Sequence, residues 1–102
     1  MRIIKESFLK AAAIEYPRAK DGLEAWIAMV REAAWKNPVE MKQASPDVDP
    51  VKVKSGHTAY VFNIRRNEFR LVAAIHFDRQ RAFTLGFFTH AEYEKNRWKD
   101  EL

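Results

Sequence analysis

The spacing of the apolar residues changes halfway along the chain, and this change restricts the possible fold more than any other feature of the sequence. Residues 18–35 carry apolar side chains at intervals of three and four, the period of one face of an α-helix. This stripe consists of Leu23, Trp26, Ile27, Val30 and Ala34. Residues 58–64 and 68–77 instead alternate between apolar and polar, as half-buried strands do, and residues 81–88 form a third, mostly apolar strand. Helices followed by strands with short connections predict an α+β fold.

Helix boundary signals place the other elements of the first half. A helix over residues 5–16 is closed by Pro17. Asn37 is a good N-cap residue and Pro38 suits the first helical position, so a short helix is expected to follow them. Residues 45–50 then read as a loop, because they are rich in Pro and Asp.

The end of the chain carries a helix signal of its own. Thr89 and Glu92 have the spacing of a capping box, which predicts a short C-terminal helix. His90 and Tyr93, three residues apart, are then expected on one side of this helix. The whole chain, residues 1–102, is expected to form one domain, with two N-terminal helices packed on an antiparallel β-meander that precedes the C-terminal helix.

The connection between the first two strands determines which side chains share a face. A tight turn at residues 65–66 or at residues 66–67 gives registers that differ by an even number, so the faces are the same in both. Asn67 is the residue there that best tolerates a left-handed backbone. The core face then holds Tyr60, Phe62, Ile64, Phe69, Leu71, Ala73 and Ile75, and the uncovered face holds Asn63, Arg65, Glu68, Arg70, Val72, Ala74 and His76. Arg65 and Arg70 are thus expected side by side on an open face, where the small side chains of residues 72 and 74 leave room for a ligand.

Positive charge is concentrated in the strand region. The formal net charge is +4, and residues 57–81 contain five arginines against one glutamate and one aspartate, which accounts for most of the excess. The planar guanidinium group suits phosphate, so this concentration favours RNA or another phosphate-bearing partner. A solvated sheet edge that its charge protects from aggregation is the alternative explanation, and composition leaves it open.

The absence of cysteine narrows the chemistry. Without Cys the chain has no disulfide framework, no thiolate zinc site and no cysteine nucleophile, which is compatible with a reducing cytoplasm. His57, His76 and His90 lack the spacing of metal ligands, and three scattered glycines form no phosphate-binding loop, so no metal and no cofactor are expected. A charged N-terminal segment and the lack of a long apolar run predict a cytoplasmic protein with no membrane segment.

Three segments resemble the HigB family, the RelE-like toxins that are paired with HigA antitoxins. They are residues 60–64 (YVFNI), 67–72 (NEFRLV) and 88–93 (FTHAEY), and the last of them is the most specific. The N-terminal half is similar to the family in order and length as well, so the resemblance covers nearly the whole chain. It implies a RelE-like fold.

The resemblance also implies a function, that of a ribosome-dependent mRNA interferase. Such a toxin is a metal-independent endoribonuclease that cuts translated mRNA and inhibits translation. Its partners are the ribosome, mRNA and a HigA-like helix-turn-helix antitoxin, so that DNA is reached only indirectly through the antitoxin. Related enzymes use the substrate 2′-OH as the nucleophile and leave a cyclic phosphate and a 5′-OH. This reaction needs proton transfer at two oxygens and positive charge at the phosphorane.

These needs assign candidate roles to four residues. Arg70 and then Arg65 are expected to stabilise the phosphorane, and His90 is expected to transfer a proton. Tyr93 is expected to stack on a base or to donate a proton. Further contacts to phosphates or ribosomal RNA are expected from Arg66, Asn63, Asn67, Lys54 and Arg81.

Two positions depart from the pattern of the family. The hairpin turn carries Arg65 and Arg66 where relatives usually have glycine, and the last strand carries Leu85 where relatives usually have a basic residue. Arg81, four residues earlier, replaces that basic residue only if the strand bends. If the missing cation normally holds the phosphate, the chain is a catalytically degenerate toxin homologue that binds RNA, ribosome or antitoxin without cleavage. This alternative stays open.

Overall fold

A five-stranded sheet packed against helices makes up most of the structure, a computed structural model that describes residues 1–101. The strand order is β1-β5-β4-β3-β2, and all neighbours are antiparallel except β1, which runs parallel to β5. The strands are β1 (Arg2–Ile4), β2 (Asp49–Lys52), β3 (Thr58–Ile64), β4 (Phe69–His76) and β5 (Arg81–Thr89). The helices are α1 (Glu6–Glu15), α2 (Lys20–Glu32), α3 (Pro38–Ala44), α4 (His90–Glu94) and α5 (Trp98–Glu101), with a 3-10 turn at Pro17–Ala19. None of these helices is both long and apolar enough to cross a membrane.

The expected α+β class and the central meander β3–β4–β5 are confirmed, with three elements added. Strands β1 and β2 extend the sheet on its two sides, so the sheet is mixed rather than purely antiparallel. Pro50 lies in β2, an edge strand, where a residue without an amide hydrogen is tolerated. Helix α5 follows the predicted C-terminal helix.

Helices α1 and α2 cover the core face of the sheet, and the apolar side chains expected on that face are confirmed there. Trp26 of α2 packs edge-on against Phe62, with ring centroids 5.5 Å apart. Helix α2 is shorter than predicted, because the 3-10 turn precedes it and the chain turns extended at Ala33. Ala34, the last residue of the predicted stripe, lies beyond the helix and is exposed.

The opposite face, which we call the second face, is only partly open. Trp98 of α5 is 3% exposed and forms a second apolar cluster. Its other buried members are Val53, Ala59, Val61 and Val72. The expected free space beside residue 72 is therefore not there, because the C-terminal segment folds back over the middle of the sheet. Beyond this cover, Ala74 and Leu85 remain accessible along a shallow cavity.

The hairpin between β3 and β4 has the register of the turn at residues 66–67. Ile64 pairs with Phe69, and the Glu68 amide donates to the Arg65 carbonyl at 3.1 Å. The left-handed residues are Arg65 (φ 51°) and Arg66 (φ 59°), not Asn67 as expected. Side chains with a Cβ enter this region at a cost of roughly 1–2 kcal/mol per residue. Two arginines thus hold the backbone conformation that glycine adopts freely.

Candidate active site

Three of the four predicted catalytic residues meet where β4 begins and β5 ends. Arg70 pairs in register with Phe88, two residues before His90, so the strand pairing brings the start of α4 next to Arg70. Arg70 Nη2 lies 3.3 Å from His90 Nδ1. The Arg70 guanidinium carbon lies 5.5 Å from the centroid of the Tyr93 ring. The three side chains form one contact group, the Arg70–His90–Tyr93 group.

Helix α4 is fixed in place by the predicted capping box. The Thr89 hydroxyl accepts a hydrogen bond from the Glu92 amide at 3.2 Å, and the Thr89 amide donates to the Glu92 carboxylate at 2.9 Å. The His90 amide donates to the Glu68 carbonyl at 3.0 Å, which ties the helix to the β3–β4 hairpin. These bonds orient a helix of only five residues, too short to be stable alone.

The contacts of His90 determine which ring nitrogen carries the proton. A guanidinium group only donates hydrogen bonds, so His90 Nδ1 accepts from Arg70. The proton of the neutral ring then resides on Nε2, which lies 3.3 Å from the Glu94 carboxylate. His90 therefore stands between a cation and an anion, with one nitrogen facing each.

Glu94 was not among the predicted site residues. The signal was available, because Glu94 lies four residues after His90 and such pairs face each other on a helix. Its carboxylate is exposed and contacts the imidazole rather than a cationic side chain.

Arg70 is held in a defined orientation and keeps free donors. Its Nη1 donates to the carbonyls of Asn67 at 3.0 Å and Phe69 at 3.3 Å. Together with the bond to His90, these contacts use three of the five guanidinium hydrogens. Arg70 takes part in no salt bridge within residues 1–101. Two donors and the full charge thus remain for an anion.

Tyr93 is half-buried between Arg70 and the C-terminal helix. Its ring stacks on Trp98, with centroids 5.2 Å apart and planes at 20°. Burial raises the pKa of Tyr93, the Asp49 carboxylate raises it further, and the positive charge of Arg70 opposes this. The phenol therefore keeps its proton at neutral pH.

Arg65, the fourth predicted catalytic residue, belongs to a different cluster. Its Nε lies 3.2 Å from the Glu68 carboxylate, which also binds Arg18 at 2.6 Å. Hydrogen bonds from Arg18 lower the pKa of Glu68, and the charges of both arginines add to this effect. The expected pairing of Arg65 with Arg70 is thus wrong, because the left-handed backbone at residue 65 ends the alternation of the strand.

The predicted RNA-binding residues divide between two regions. Asn63 pairs with Arg70 in register and is exposed beside it, and Asn67 contacts Arg70 through its carbonyl. Arg66 is exposed at the adjacent turn. Lys54 is exposed in the β2–β3 loop, where its amide donates to the Lys99 carbonyl.

Arg81 and Leu85 lie away from the Arg70–His90–Tyr93 group. Arg81 starts β5 and pairs with His76, at the opposite end of β4 from Arg70. Val72 pairs with Gly86 and Ala73 pairs with Thr84, so Leu85 is an extra residue in β5 and forms a β-bulge. Leu85 lines the shallow cavity together with Ala74. Despite this bulge, Arg81 stays far from Arg70 and does not take the place of a cation beside it.

Comparison with known proteins gives a consistent result across most of the chain. Residues 19–96 match the family described as HigB toxin, the RelE-like toxic component of a toxin–antitoxin system. The chain is 35% identical over 94 residues to the mRNA interferase toxin HigB of Escherichia coli K12, covering 92% of this chain and 88% of that protein. It is 35% identical to the mRNA interferase HigB of Shigella flexneri over the same length. The mRNA interferase HigB of Escherichia coli O6:H1 is 30% identical over 95 residues, covering 93% of this chain and 90% of the relative.

Proposed function

The chain belongs to the HigB family of RelE-like toxins, the toxic components of toxin–antitoxin systems, and on this premise we propose that it is an mRNA interferase that cleaves translated mRNA at the Arg70–His90–Tyr93 group. The observation that carries the proposal is the 3.3 Å contact between Arg70 Nη2 and His90 Nδ1. It joins a phosphate-binding guanidinium group to an imidazole, a side chain that can accept and donate a proton.

The proposed reaction assigns one role to each side chain of the Arg70–His90–Tyr93 group. The unused donors of Arg70 bind the oxygens of the scissile phosphate and stabilise the charge of the phosphorane. When Arg70 Nη2 turns from His90 to the phosphate, the lone pair of His90 Nδ1 is released and takes the proton of the 2′-OH, whose oxygen forms a bond to phosphorus. The Glu94 carboxylate, bound to Nε2, stabilises the imidazolium that forms. The bond from phosphorus to the 5′-oxygen breaks, and the products are a 2′,3′-cyclic phosphate and a 5′-OH.

Tyr93 is proposed to donate the proton to the leaving 5′-oxygen. Its phenol is protonated at neutral pH, and its ring lies beside the phosphate-binding cation. Asn63 and Arg66 flank the group and are proposed to hold the neighbouring phosphates. No metal ion is required for any of these steps.

The partners follow from the family. A toxin of this kind is held inactive by an antitoxin, and we propose that this antitoxin is a HigA-like helix-turn-helix protein. The ribosome presents the mRNA, so the toxin acts in the cytoplasm. DNA is contacted only through the antitoxin. We also propose that the whole chain, residues 1–102, forms one toxin domain.

Expression of the toxin, alone and with its antitoxin, tests the proposal. The wild-type chain is expected to arrest growth and to produce discrete mRNA ends that disappear when translation is blocked, and the antitoxin is expected to prevent both effects. His90→Ala and Arg70→Ala are expected to be inactive but folded, and Lys10→Ala, on α1, is the matched control. Full toxicity of both site variants would refute the assignment.

Leu85 favours a second candidate function, that of a degenerate toxin that binds without cutting. It occupies the strand position where the resemblance to the family leads us to expect a basic residue. In the structure it lies at the bulge of β5, beside Ala74, rather than in the Arg70–His90–Tyr93 group. Growth arrest with intact mRNA would support this candidate over the enzyme.

A further inference from the structure

A second basic surface lies at the opposite end of the second face from the proposed active site. Arg2 of β1 pairs with Arg81 of β5, which in turn pairs with His76 of β4. Paired residues on neighbouring strands point to the same face, so the three side chains form a row across three strands. All three are exposed. We call these residues, together with Phe83, the distal patch.

The two arginines of this row are not neutralised by the residues that the structure describes. Neither Arg2 nor Arg81 takes part in a salt bridge within residues 1–101. Asp78, in the adjoining turn, accepts a hydrogen bond from the Arg79 amide at 3.0 Å. Like charges directly opposite each other destabilise a sheet. A row of this kind is expected where an external anion lies across the strands.

An accessible aromatic surface adjoins the row. The ring of Phe83, half-exposed, lies against the imidazole of His76 with centroids 4.8 Å apart. Leu85, 36% exposed, continues this surface towards the middle of the sheet. The second apolar cluster reaches Val53 and Ala59, but it includes no residue of the distal patch.

We propose that the distal patch binds single-stranded RNA. Arg2 and Arg81 contact successive phosphates, and an unpaired base stacks on Phe83 and His76. Cationic and aromatic side chains together are typical of surfaces for single-stranded nucleic acid, whereas cations alone suit any anion. The inference rests on the proposed function, because it makes the patch a second hold on the RNA that is cut at the other end of the sheet.

The patch is a separate contact and not part of the active site. Arg70 and His76 are six residues apart on β4, which corresponds to about 20 Å along a strand. A strand of RNA that is bound at both contacts therefore has several nucleotides between them.

Binding of a labelled single-stranded RNA of mixed sequence, measured by fluorescence anisotropy at several salt concentrations, tests the proposal. All proteins carry His90→Ala so that the RNA stays intact. Arg2→Gln with Arg81→Gln is expected to raise Kd roughly tenfold and to reduce the slope of log K against log salt by about 1.4, the value for two phosphates. Phe83→Leu is expected to raise Kd roughly fivefold.

A double variant on the helix side provides the matched control. Lys36→Gln with Lys42→Gln removes the same charge from exposed positions outside the sheet and is expected to leave Kd and the salt slope near those of the parent. Equal losses in both double variants, or unchanged binding in Arg2→Gln/Arg81→Gln, would overturn the proposal. It would also be overturned if the parent bound no RNA, or if the patch variant lost only antitoxin binding.

A different result would refute the proposed function. A wild-type chain that leaves mRNA intact in cells is not an interferase, whatever the anisotropy shows. Loss of RNA binding in the patch variant, combined with intact mRNA, would retain the binding surface and support the degenerate toxin.

Discussion

His90 is held between opposite charges, and this arrangement accounts for its proposed reactivity. Arg70 keeps Nδ1 free of a proton and Glu94 holds the proton on Nε2. Many hydrolases use a histidine base whose tautomer and orientation are fixed by a hydrogen-bonded carboxylate. Glu94 acts through His90 and is therefore a positioning residue.

Replacement of Glu94 tests this role. In Glu94→Gln the carboxylate no longer stabilises the imidazolium, so cleavage is expected to fall roughly tenfold or more. The ¹⁵N chemical shifts of the His90 ring are expected to show a weaker preference for the Nε2–H tautomer. Glu24→Gln, exposed on α2, is the control and should keep full activity. Unchanged ring shifts in the Glu94 variant would contradict the positioning role.

Individual site residues differed in how well the sequence predicted them. Arg70 was placed by strand alternation, and His90 and Tyr93 were placed by a capping box, because both signals are local. Arg65 was misplaced because a left-handed turn interrupts the alternation, and nothing local distinguishes an arginine that adopts this conformation. Glu94 was missed although its spacing from His90 pointed to it.

Helix α4 connects local helix capping to the proposed chemistry. Two bonds between Thr89 and Glu92 start a helix of five residues that carries His90 and Tyr93. Loss of the capping hydroxyl is expected to loosen the site before it unfolds the protein.

The cap can be tested at residue 89. Thr89→Ala is expected to lower the free energy of unfolding by about 1 kcal/mol and to reduce cleavage, since α4 frays. Thr89→Ser retains the hydroxyl and is expected to restore most of both. Denaturant unfolding and a cleavage assay would measure the two effects. Equal activity in the Ala and Ser variants would show that the cap does not position the site.

Helix α5 was not predicted, and its packing corrects the expectation of a bare sheet face. Only four residues long, it is held by Trp98, which lies over Val61 and Val72 and stacks on Tyr93. Periodicity does not reveal so short a helix. Strand β1 escaped prediction for a related reason, because its three residues pair with a strand almost eighty positions away.

Removal of the Trp98 side chain tests this packing. Trp98→Ala is expected to lower the free energy of unfolding by roughly 3–5 kcal/mol, because it deletes a large buried group. It is also expected to expose Val61 and Val72 to solvent, with faster amide exchange in β3 and β4. The neighbouring exposed Arg97 is the control, and Arg97→Ala should change stability by less than about 0.5 kcal/mol. Equal stability of the two variants would contradict the packing of Trp98 over the sheet.

At the scale of the whole molecule, the Arg18–Glu68–Arg65 cluster ties the helical layer to the hairpin that carries the site. The cluster lowers the pKa of Glu68, so the folded state favours the carboxylate. Its contribution to stability is present above the unfolded pKa of glutamate and is lost as the pH falls through the lower pKa of the folded state.

A comparison of wild type and Glu68→Gln across pH measures this contribution. The wild type is expected to have the higher Tm at neutral pH, and the difference is expected to shrink in acid and to vanish once Glu68 is protonated in both states. The effect is expected to be small, because the cluster is exposed. A difference in Tm that stays constant from neutral to acid pH would mean that the ion pairs are not its cause.

Patterns among residues close in sequence were enough to predict part of the overall arrangement. The meander and the core face followed from residue alternation, and the site followed where it lies on those elements. Contacts between distant segments were not predictable in this way. These include the parallel strand β1, the fold-back of α5 and the row that joins Arg2 to Arg81.

The most direct test of the account is the chemistry of the cut ends. Purified wild-type toxin and His90→Ala are incubated with ribosomes translating a defined mRNA, and the termini of the fragments are analysed. Cleavage by the wild type is expected only during translation, with 5′-OH ends that a kinase labels directly and cyclic phosphate at the other end, and no cleavage is expected from His90→Ala. Fragments with 5′-phosphate ends, or equal cleavage by the two proteins, would contradict the proposed reaction.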